Sequence, residues 1–299
     1  MKNTLIFIVI WSVLSTSSFA AENAQFERST FTLGSTTLPY RYAEICYGET
    51  VPSLVLYLHG GTSRGNDNEA QLNEAAVSII YQYLTSHNIS ATFIVPQCPA
   101  GGGWTTTLRR VVNELLRSYI TAGFADSCRV YVMGGSMGGT GTWCQLSYFP
   151  NFYAAAMPVA GNPTGMNAAN VATTPVYTVM GTADNIMSID AVEEFQTDVF
   201  AAGGTMILDV ENGWTHQNTC ELSYTEPRLD WLFSQTRSEK PTLVGDVNCD
   251  GSVNAADVTA LYNYILNGDI TFLATSDVNN DDAVNAGDVT AVYNIILGN

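Results

Sequence analysis

The sequence predicts an α/β domain with a mostly parallel sheet and helices on both faces, followed by a small all-α module. Two observations support this. Between residues 21 and 236, short apolar segments alternate with longer helix-compatible segments, the pattern of repeated strand–helix–strand units. Beyond residue 243, a 21-residue segment occurs twice at a spacing of 31 residues. The 299 residues are 46% hydrophobic and 13% charged, which suits a large buried core.

The amino terminus predicts a cleaved signal peptide. Lys2 precedes an apolar run at 5–14 and small or polar residues up to Ala20. That run is too short to span a bilayer comfortably, and no later stretch approaches the roughly 20 apolar residues that a membrane helix needs. We therefore expect a signal peptide at 1–20 and a secreted protein, free or within a cell-surface complex, without a membrane span.

The net charge limits the classes of binding partner, and the cysteine content bears on disulfide formation. The formal net charge of −17 argues against nucleic acid and anionic membranes, because both attract clustered Lys and Arg. Six cysteines in an exported chain make disulfides an expectation, but 15 pairings are possible. Their redox state therefore stays open.

The first domain is predicted to contain six strands and five helices. The strands are predicted at 54–58, 92–95, 129–133, 154–159, 176–180 and 206–210. The helices are predicted at 68–86, 107–122, 139–149, 189–202 and 226–234. In a parallel sheet of this kind, ligands bind at the carboxyl ends of the strands.

One strand end carries a candidate nucleophile. The strand at 129–133 runs directly into Gly-Gly-Ser-Met-Gly, with Ser136 at the apex of a predicted strand-to-helix turn. Glycines two residues before and after the serine remove side chains that would collide in such a turn. A five-residue motif alone is weak evidence for a nucleophile. The strand before it and the helix-compatible run after it favour an exposed nucleophile.

A serine hydroxyl needs a base, and the base needs an orienting acid. His216 follows the last predicted strand and is the candidate base, whereas His87 precedes the serine in the chain and is expected to be a surface residue. Asp184 is the first carboxylate after the strand at 176–180 and is the candidate acid. Asp190 and Asp209 are the weaker alternatives.

An oxyanion needs two backbone N–H donors. The amide of Met137, directly after the serine, is one candidate, and Gly61 or Thr62 in the His-Gly-Gly-Thr segment supplies the other. His59 in that segment is expected to brace the loop.

These motifs together resemble the α/β-hydrolase esterases. The resemblance lies in HGG, PQCPAGGGW, DSCRVYVMGGSMGGTGTW, PNFYAAAMPVAG, GTAD and GWTH, and it covers about residues 54–233. It is greatest to the secreted group of feruloyl and acetylxylan esterases, polyhydroxybutyrate depolymerase-like enzymes and predicted peptidases. It implies an α/β-hydrolase fold and a serine carboxylic-ester hydrolase without a catalytic cofactor, in which Ser136, Asp184 and His216 are catalytic.

The sequence gives weaker indications of the substrate than of the catalytic residues. Only 15 residues separate Val159 from Pro175, where many lipases insert a lid, so an open site for an ester on a bulky polymer is expected. Trp104, Trp143 and Trp214 lie close in sequence to the predicted site loops. They are candidates for a substrate-binding wall, although core packing is an equal alternative.

The C-terminal duplication has the spacing of calcium loops, with oxygen ligands at positions 1, 3, 5, 7, 9 and 12. The predicted ligands of the first loop are Asp246, Asn248, Asp250, Ser252, Asn254 and Asp257. Those of the second loop are Asp277, Asn279, Asp281, Ala283 through its carbonyl, Asn285 and Asp288. We therefore expect two Ca²⁺ sites.

These loops and the apolar helix after each resemble a type I dockerin over residues 244–299, behind a linker at 237–243. The resemblance implies a cohesin-type scaffold partner. Where dockerins often present hydroxyl pairs, this chain has Ala255-Ala256 and Ala286-Gly287, so the type of cohesin stays open. With an acylated polysaccharide or oligosaccharide as the expected substrate, the alternatives are a serine peptidase of the same fold and a non-catalytic scaffold or binding component.

Overall fold

A computed structural model describes residues 25–48, 51–237, 244–247, 253–267, 276–279, 281 and 283–298. The predicted signal peptide at 1–20 and residues 238–243 of the predicted linker lie outside these ranges. Within them, no helix is long and apolar enough to cross a membrane. Cys46, Cys98, Cys144 and Cys220 have free thiols.

Eight strands form one sheet in the order β1-β2-β4-β3-β5-β6-β7-β8. They are β1 (Glu27–Leu33), β2 (Thr36–Ile45), β3 (Ser53–Leu58), β4 (Ala91–Pro96), β5 (Val130–Gly135), β6 (Ala155–Val159), β7 (Val176–Gly181) and β8 (Met206–Glu211). The pairs β1–β2 and β2–β4 are antiparallel, and all the others are parallel.

Seven α-helices accompany the sheet in the described part of the first domain. They are α1 (Ala75–Ser86), α2 (Leu108–Thr121), α3 (Met137–Tyr148), α4 (Ala168–Val171), α5 (Ile189–Ala201), α6 (His216–Leu222) and α7 (Glu226–Ser234). Two short 3₁₀ turns lie at Gly61–Ser63 and Ala70–Asn73.

The helices cover both faces of the sheet because strand residues point alternately to either side. In β3, Leu56 and Leu58 join a core with the helices α2, α3 and α5, whereas Val55 and Tyr57 join a second core with α1 and α7. The prediction of a mostly parallel sheet between two helical layers, an α/β-hydrolase-like fold, is therefore confirmed.

Several boundaries differ from the sequence prediction. Strands β1 and β2 were not predicted, because their apolar residues alternate with polar ones and form no long run, and β2 contains Pro39. The helix expected at 68–86 begins only at Ala75, because Asn68 has a φ of 55° and the chain makes a 3₁₀ turn first. The short helices α4 and α6 were also not predicted.

The C-terminal module contains the helices α8 (Ala255–Asn267) and α9 (Ala286–Leu297). The two helices pack against each other through a small apolar core. Its buried members include Val247, Val258, Leu261, Val278, Val289 and Val292. One apolar helix therefore follows each predicted loop, as the duplicated sequence indicates.

Candidate active site

Ser136 lies in a sharp turn between β5 and α3. Its φ of 57° and ψ of −117° form a conformation that residues with side chains rarely adopt. A Cβ atom on Gly134 would lie 2.5 Å from the carbonyl oxygen of Gly138. A Cβ atom on Gly138 would lie 1.7 Å from the carbonyl oxygen of Leu58. Only glycine fits at these two positions, which gives the Gly-x-Ser-x-Gly pattern a steric cause.

The structure brings together the three side chains that the sequence singled out. His216 Nε2 lies 2.7 Å from Ser136 Oγ, and His216 Nδ1 lies 2.8 Å from Asp184 Oδ2. The Asp184 side chain is fully buried, and its Oδ1 accepts hydrogen bonds from the amides of Ile186 (2.8 Å) and Met187 (3.0 Å). A carboxylate can only accept, so Nδ1 carries the proton and Nε2 is available to the serine hydroxyl.

Neighbouring strand ends place the acid and the histidine. Strands β7 and β8 are paired, and beyond them the amide of Ala183 donates to the carbonyl of Trp214 at 3.0 Å. Helix α6 begins at His216 because Thr215 and Asn218 form a reciprocal capping box. The loop after each strand is thus tied to the other, and the His216 ring is held over the serine.

The alternative residues lie elsewhere. Asp209 accepts hydrogen bonds from Arg228 at 2.8 and 3.0 Å, and Asp190 lies in the first turn of α5. His87 lies 3.3 Å from a Glu226 carboxylate oxygen on α7. The geometry therefore favours Asp184 and His216 over these candidates.

His59 braces the loop that is expected to hold the oxyanion. Burial lowers the pKa of His59 to about 4, so the ring is neutral near pH 7. Its Nε2 accepts from the amide of Cys98 (2.9 Å), and its Nδ1–H donates to the carbonyl of Gly60 (2.7 Å). Gly61 and Thr62 follow directly, in the 3₁₀ turn.

Glu74 is a site-associated residue that the sequence prediction missed. It was assigned to the helix at 68–86, but it lies just before α1 and turns toward the His-Gly-Gly loop. Its carboxylate accepts hydrogen bonds from Gly60 N, Ser63 Oγ and Tyr57 Oη at 2.7 to 2.8 Å. No sequence motif marks Glu74, because its partners come from a different strand and loop.

The prediction of a substrate-binding wall of three tryptophans is wrong for two of them. Trp104 and Trp143 are 1% and 0% exposed, so neither can line an open substrate site. Trp104 donates from Nε1 to the carbonyl of His59 at 2.9 Å, and Trp143 packs edge-on against Phe195. Trp143 lies within α3 and Trp104 lies in the loop before α2, and both side chains pack into the core that α2, α3 and α5 share. Trp214 is half-buried, and its substrate role stays a prediction.

The second calcium-type loop folds through turns closed by side-chain oxygens. The amide of Asp281 donates to Oδ1 of both Asp277 (3.1 Å) and Asn279 (3.0 Å), and the amide of Ala283 donates to Asp281 Oδ1 (3.0 Å). Asp288 is fully buried, and in the described part of the chain its carboxylate accepts hydrogen bonds from backbone N–H groups alone. Carboxylate, amide and carbonyl oxygens gathered in one loop fit the hard-ligand chemistry of Ca²⁺.

The first loop is described only in part. Asp246, Asn254 and Asp257 are described, whereas the expected ligands Asn248, Asp250 and Ser252 lie outside the described residues. Asp257 is fully buried and accepts the amide of Asn254 at 2.8 Å, as Asp288 accepts that of Asn285. In the described ranges, no group of three or more His, Cys, Asp or Glu side chains is arranged to hold a metal ion. Half of the ligands predicted in the second loop are amide or carbonyl oxygens, which such a group of side chains does not include.

The sheet topology and the Ser136 turn define an α/β-hydrolase-like domain, and the duplicated module follows it. Residues 102–226 match the dienelactone hydrolase family, and residues 244–297 match the dockerin type I domain. Dockerin type I domains typically bind calcium, pair with cohesins and belong to extracellular cellulosome-type proteins. A comparison with curated protein sequences finds no match.

Solved structures share the fold of the first domain. A thermostable esterase is 24% identical, with a TM-score of 0.65 over 72% of this chain and 64% of that chain. A puromycin-hydrolyzing peptidase of Mycobacterium tuberculosis is 16% identical, with a TM-score of 0.57 over 71% of this chain and 39% of that one. An acylaminoacyl peptidase of Pyrococcus horikoshii is 14% identical, with a TM-score of 0.53 over 72% and 42% of the two chains. The chain spans less than two thirds of each structure, and the likeness establishes the fold.

Proposed function

We propose that this chain is an exported serine esterase that removes acetyl or feruloyl groups from plant cell-wall polysaccharide. The observation that carries the proposal is the unbroken chain of hydrogen bonds from Ser136 through His216 to the buried Asp184. That arrangement activates a serine hydroxyl for acyl transfer. The matches to a hydrolase family and to a dockerin support the class of enzyme and its setting.

Acylation begins when Ser136 Oγ attacks the ester carbonyl carbon and His216 Nε2 takes the hydroxyl proton. The carbonyl π electrons move to oxygen, and the resulting oxyanion is stabilised by the amides of Met137 and of Gly61 or Thr62. Asp184 stabilises the imidazolium from the other side. Collapse of the intermediate breaks the bond to the sugar oxygen, which receives the proton from His216 and leaves as an alcohol.

Deacylation repeats the sequence with water. His216 Nε2 takes a proton from water as the water oxygen attacks the acyl carbon of the Ser136 ester. The second intermediate uses the same oxyanion donors. Its collapse returns the proton to Ser136 Oγ and releases the carboxylic acid. No catalytic metal or organic cofactor is part of this proposal.

The segment that could form a lid supports a polymeric substrate. Residues 160–174 fold down onto α3, where the amide of Asn162 donates to Thr140 Oγ1 (3.0 Å) and that of Asn167 donates to Ser147 Oγ (2.8 Å). Because this segment is bound to α3, we expect the carboxyl edge of the sheet to stay open on that side. An acyl group on a bulky polysaccharide can then approach without a lid moving.

The C-terminal module supports attachment to a scaffold. We propose that its two loops bind Ca²⁺ through the oxygen sets given above, and that the ordered module docks onto a cohesin. The Ca²⁺ would neutralise the clustered carboxylates of each loop. Export through the predicted signal peptide would bring the enzyme to the extracellular compartment in which such complexes work.

A substrate panel separates the esterase from its alternatives. Turnover of 4-nitrophenyl acetate, methyl ferulate and acetylated xylan fragments is expected, with little cleavage of peptide 4-nitroanilides. Faster cleavage of the peptides would favour the serine peptidase. Absence of turnover on both classes would favour a scaffold or binding component. Ser136→Ala is the control for background hydrolysis.

A further inference from the structure

The carboxylate of Glu74 lies behind the loop that is expected to hold the oxyanion. Oε1 accepts from Gly60 N at 2.7 Å and from Ser63 Oγ at 2.8 Å, which are the two ends of that loop. Oε2 accepts from Tyr57 Oη of β3 at 2.8 Å. One side chain thus joins the start of the loop, its end and the strand that leads into it.

These bonds fix the direction of the next amide. The Gly60 N–H is used by Glu74, while the Gly60 carbonyl accepts from His59 Nδ1 (2.7 Å) and from the amide of Ser63 (3.3 Å). A trans peptide is planar, and its N–H points opposite to its C=O. Holding the Gly60 carbonyl therefore also sets the direction of the Gly61 N–H.

We propose that Glu74 is a positioning residue for transition-state stabilisation, which it provides by holding residues 60–63 with the amides of Gly61 and Thr62 presented to the oxyanion. This inference rests on the proposed function. The Glu74 oxygens accept hydrogen bonds from Tyr57, Gly60 and Ser63, so Glu74 acts through the loop. The Gly60 amide, bound to Glu74, is not one of the oxyanion donors.

The loop that Glu74 holds packs closely against the strand that carries Ser136. A Cβ atom on Gly60 would lie only 3.7 Å from Ser136 Cβ, and Tyr57 Oη lies 3.6 Å from the place that a Cβ on Gly135 would take. The residues that Glu74 binds therefore pack directly against the nucleophile strand. A small shift of the loop would change the distance from the donors to the oxyanion while the three triad side chains stay in place.

The test compares Glu74→Ala and Glu74→Gln with a matched control. Asp230→Ala is suitable, because Asp230 Oδ1 also accepts from a tyrosine, Tyr83 Oη at 2.6 Å, but lies on α7. The readouts are kcat and KM for 4-nitrophenyl acetate, the inhibition constant of a boronic acid, which forms a tetrahedral adduct with serine, and the rate of fluorophosphonate labelling. Thermal unfolding reports stability separately.

For Glu74→Ala we expect kcat to fall by about 100-fold, the scale of one lost oxyanion donor, with KM little changed. Boronate affinity and the labelling rate should fall in parallel. Glu74→Gln should restore most of the activity, because its amide oxygen still accepts from Gly60 N and Ser63 Oγ. Asp230→Ala should keep the wild-type kcat and boronate affinity even where it lowers the unfolding temperature.

The inference is overturned if Glu74→Ala retains a kcat and a boronate affinity within twofold of Asp230→Ala. If Glu74→Ala does not fold, Ser63→Ala decides: a kcat that falls by about tenfold supports the inference, and an unchanged kcat overturns it. Failure of the proposed function looks different. In that case the wild type itself shows no turnover or labelling that depends on Ser136, and the inference falls with it.

Discussion

At the scale of single residues, the site depends on buried side chains whose hydrogen bonds hold each of them in one orientation. Asp184 is held by two backbone amides on Oδ1, so only Oδ2 faces His216. His59 is neutral and keeps one tautomer, because one ring nitrogen accepts from an amide and the other donates to a carbonyl. Both side chains are fixed before a substrate arrives.

Replacing Asp184 by Asn should remove activity without removing the fold. The amide of Asn can present its N–H₂ group to His216 Nδ1, which favours the tautomer with the proton on Nε2, where it cannot accept from the serine. We expect kcat for 4-nitrophenyl acetate to fall by about 10⁴-fold. Asp190→Asn is the control. A loss of less than tenfold for Asp184→Asn would show that another carboxylate orients the histidine.

The depressed pKa of His59 makes stability depend on pH. The pKa is about 4 in the folded protein and 6.5 in the reference state. The contribution is therefore fully present above pH 6.5 and is lost as the pH falls toward 4. Between pH 7 and pH 4.5, wild type should lose ~2 kcal/mol more free energy of unfolding than His59→Gln in urea titrations. Equal losses would contradict this account.

At the scale of elements, the sequence predicts the buried parallel strands better than the antiparallel strands at the edge of the sheet. The apolar runs that became β3 to β7 are visible because buried parallel strands are almost continuously hydrophobic. Strand β8 is a half-exposed edge strand, but it still begins with the apolar run Met-Ile-Leu. Strands β1 and β2 alternate polar and apolar residues at an antiparallel edge, and no apolar run marks them. Glu74 was not predicted for a related reason, because a contact between segments that are distant in the chain leaves no local motif in the sequence.

The turn at Ser136 should tolerate no side chain at Gly138. The close approach to the carbonyl of Leu58 cannot be relieved by rotating a side chain, because the carbonyl belongs to the backbone and the added Cβ is fixed directly to it. We expect Gly138→Ala to lower the free energy of unfolding by about 2 kcal/mol or more. Gly103→Ala is the matched control, since a Cβ there meets nothing within 4 Å. Equal stability of the two variants in urea would count against this turn geometry.

At the scale of the whole molecule, the chain combines a hydrolase-like domain with a dockerin module. The net charge of −17 includes eight aspartates between residues 244 and 299, where Lys and Arg do not occur. The sequence predicted this division because ligand spacing and apolar spacing repeat together. It could not predict that Asp257 and Asp288 accept the amides of Asn254 and Asn285 at the helix starts, since these contacts depend on the folded loop.

Calcium should stabilise the module and leave the chemistry unchanged. In the full chain, calcium at about 100 times its dissociation constant should stabilise the folded module by ~2.7 kcal/mol for each occupied site. Chelation should lower one unfolding transition in calorimetry while kcat for 4-nitrophenyl acetate stays constant. Asp288→Asn should weaken the response to calcium. Unfolding curves that are identical with and without calcium would exclude the proposed sites.

Covalent labelling of Ser136, measured together with ester turnover, tests directly whether this serine is the nucleophile. A fluorophosphonate probe should label the wild-type chain at Ser136, identified by peptide mass spectrometry, and should abolish turnover of 4-nitrophenyl acetate in proportion to labelling. Ser136→Ala should neither be labelled nor turn over the ester. Labelling and turnover that persist in Ser136→Ala would contradict the account, because the nucleophile would then lie elsewhere.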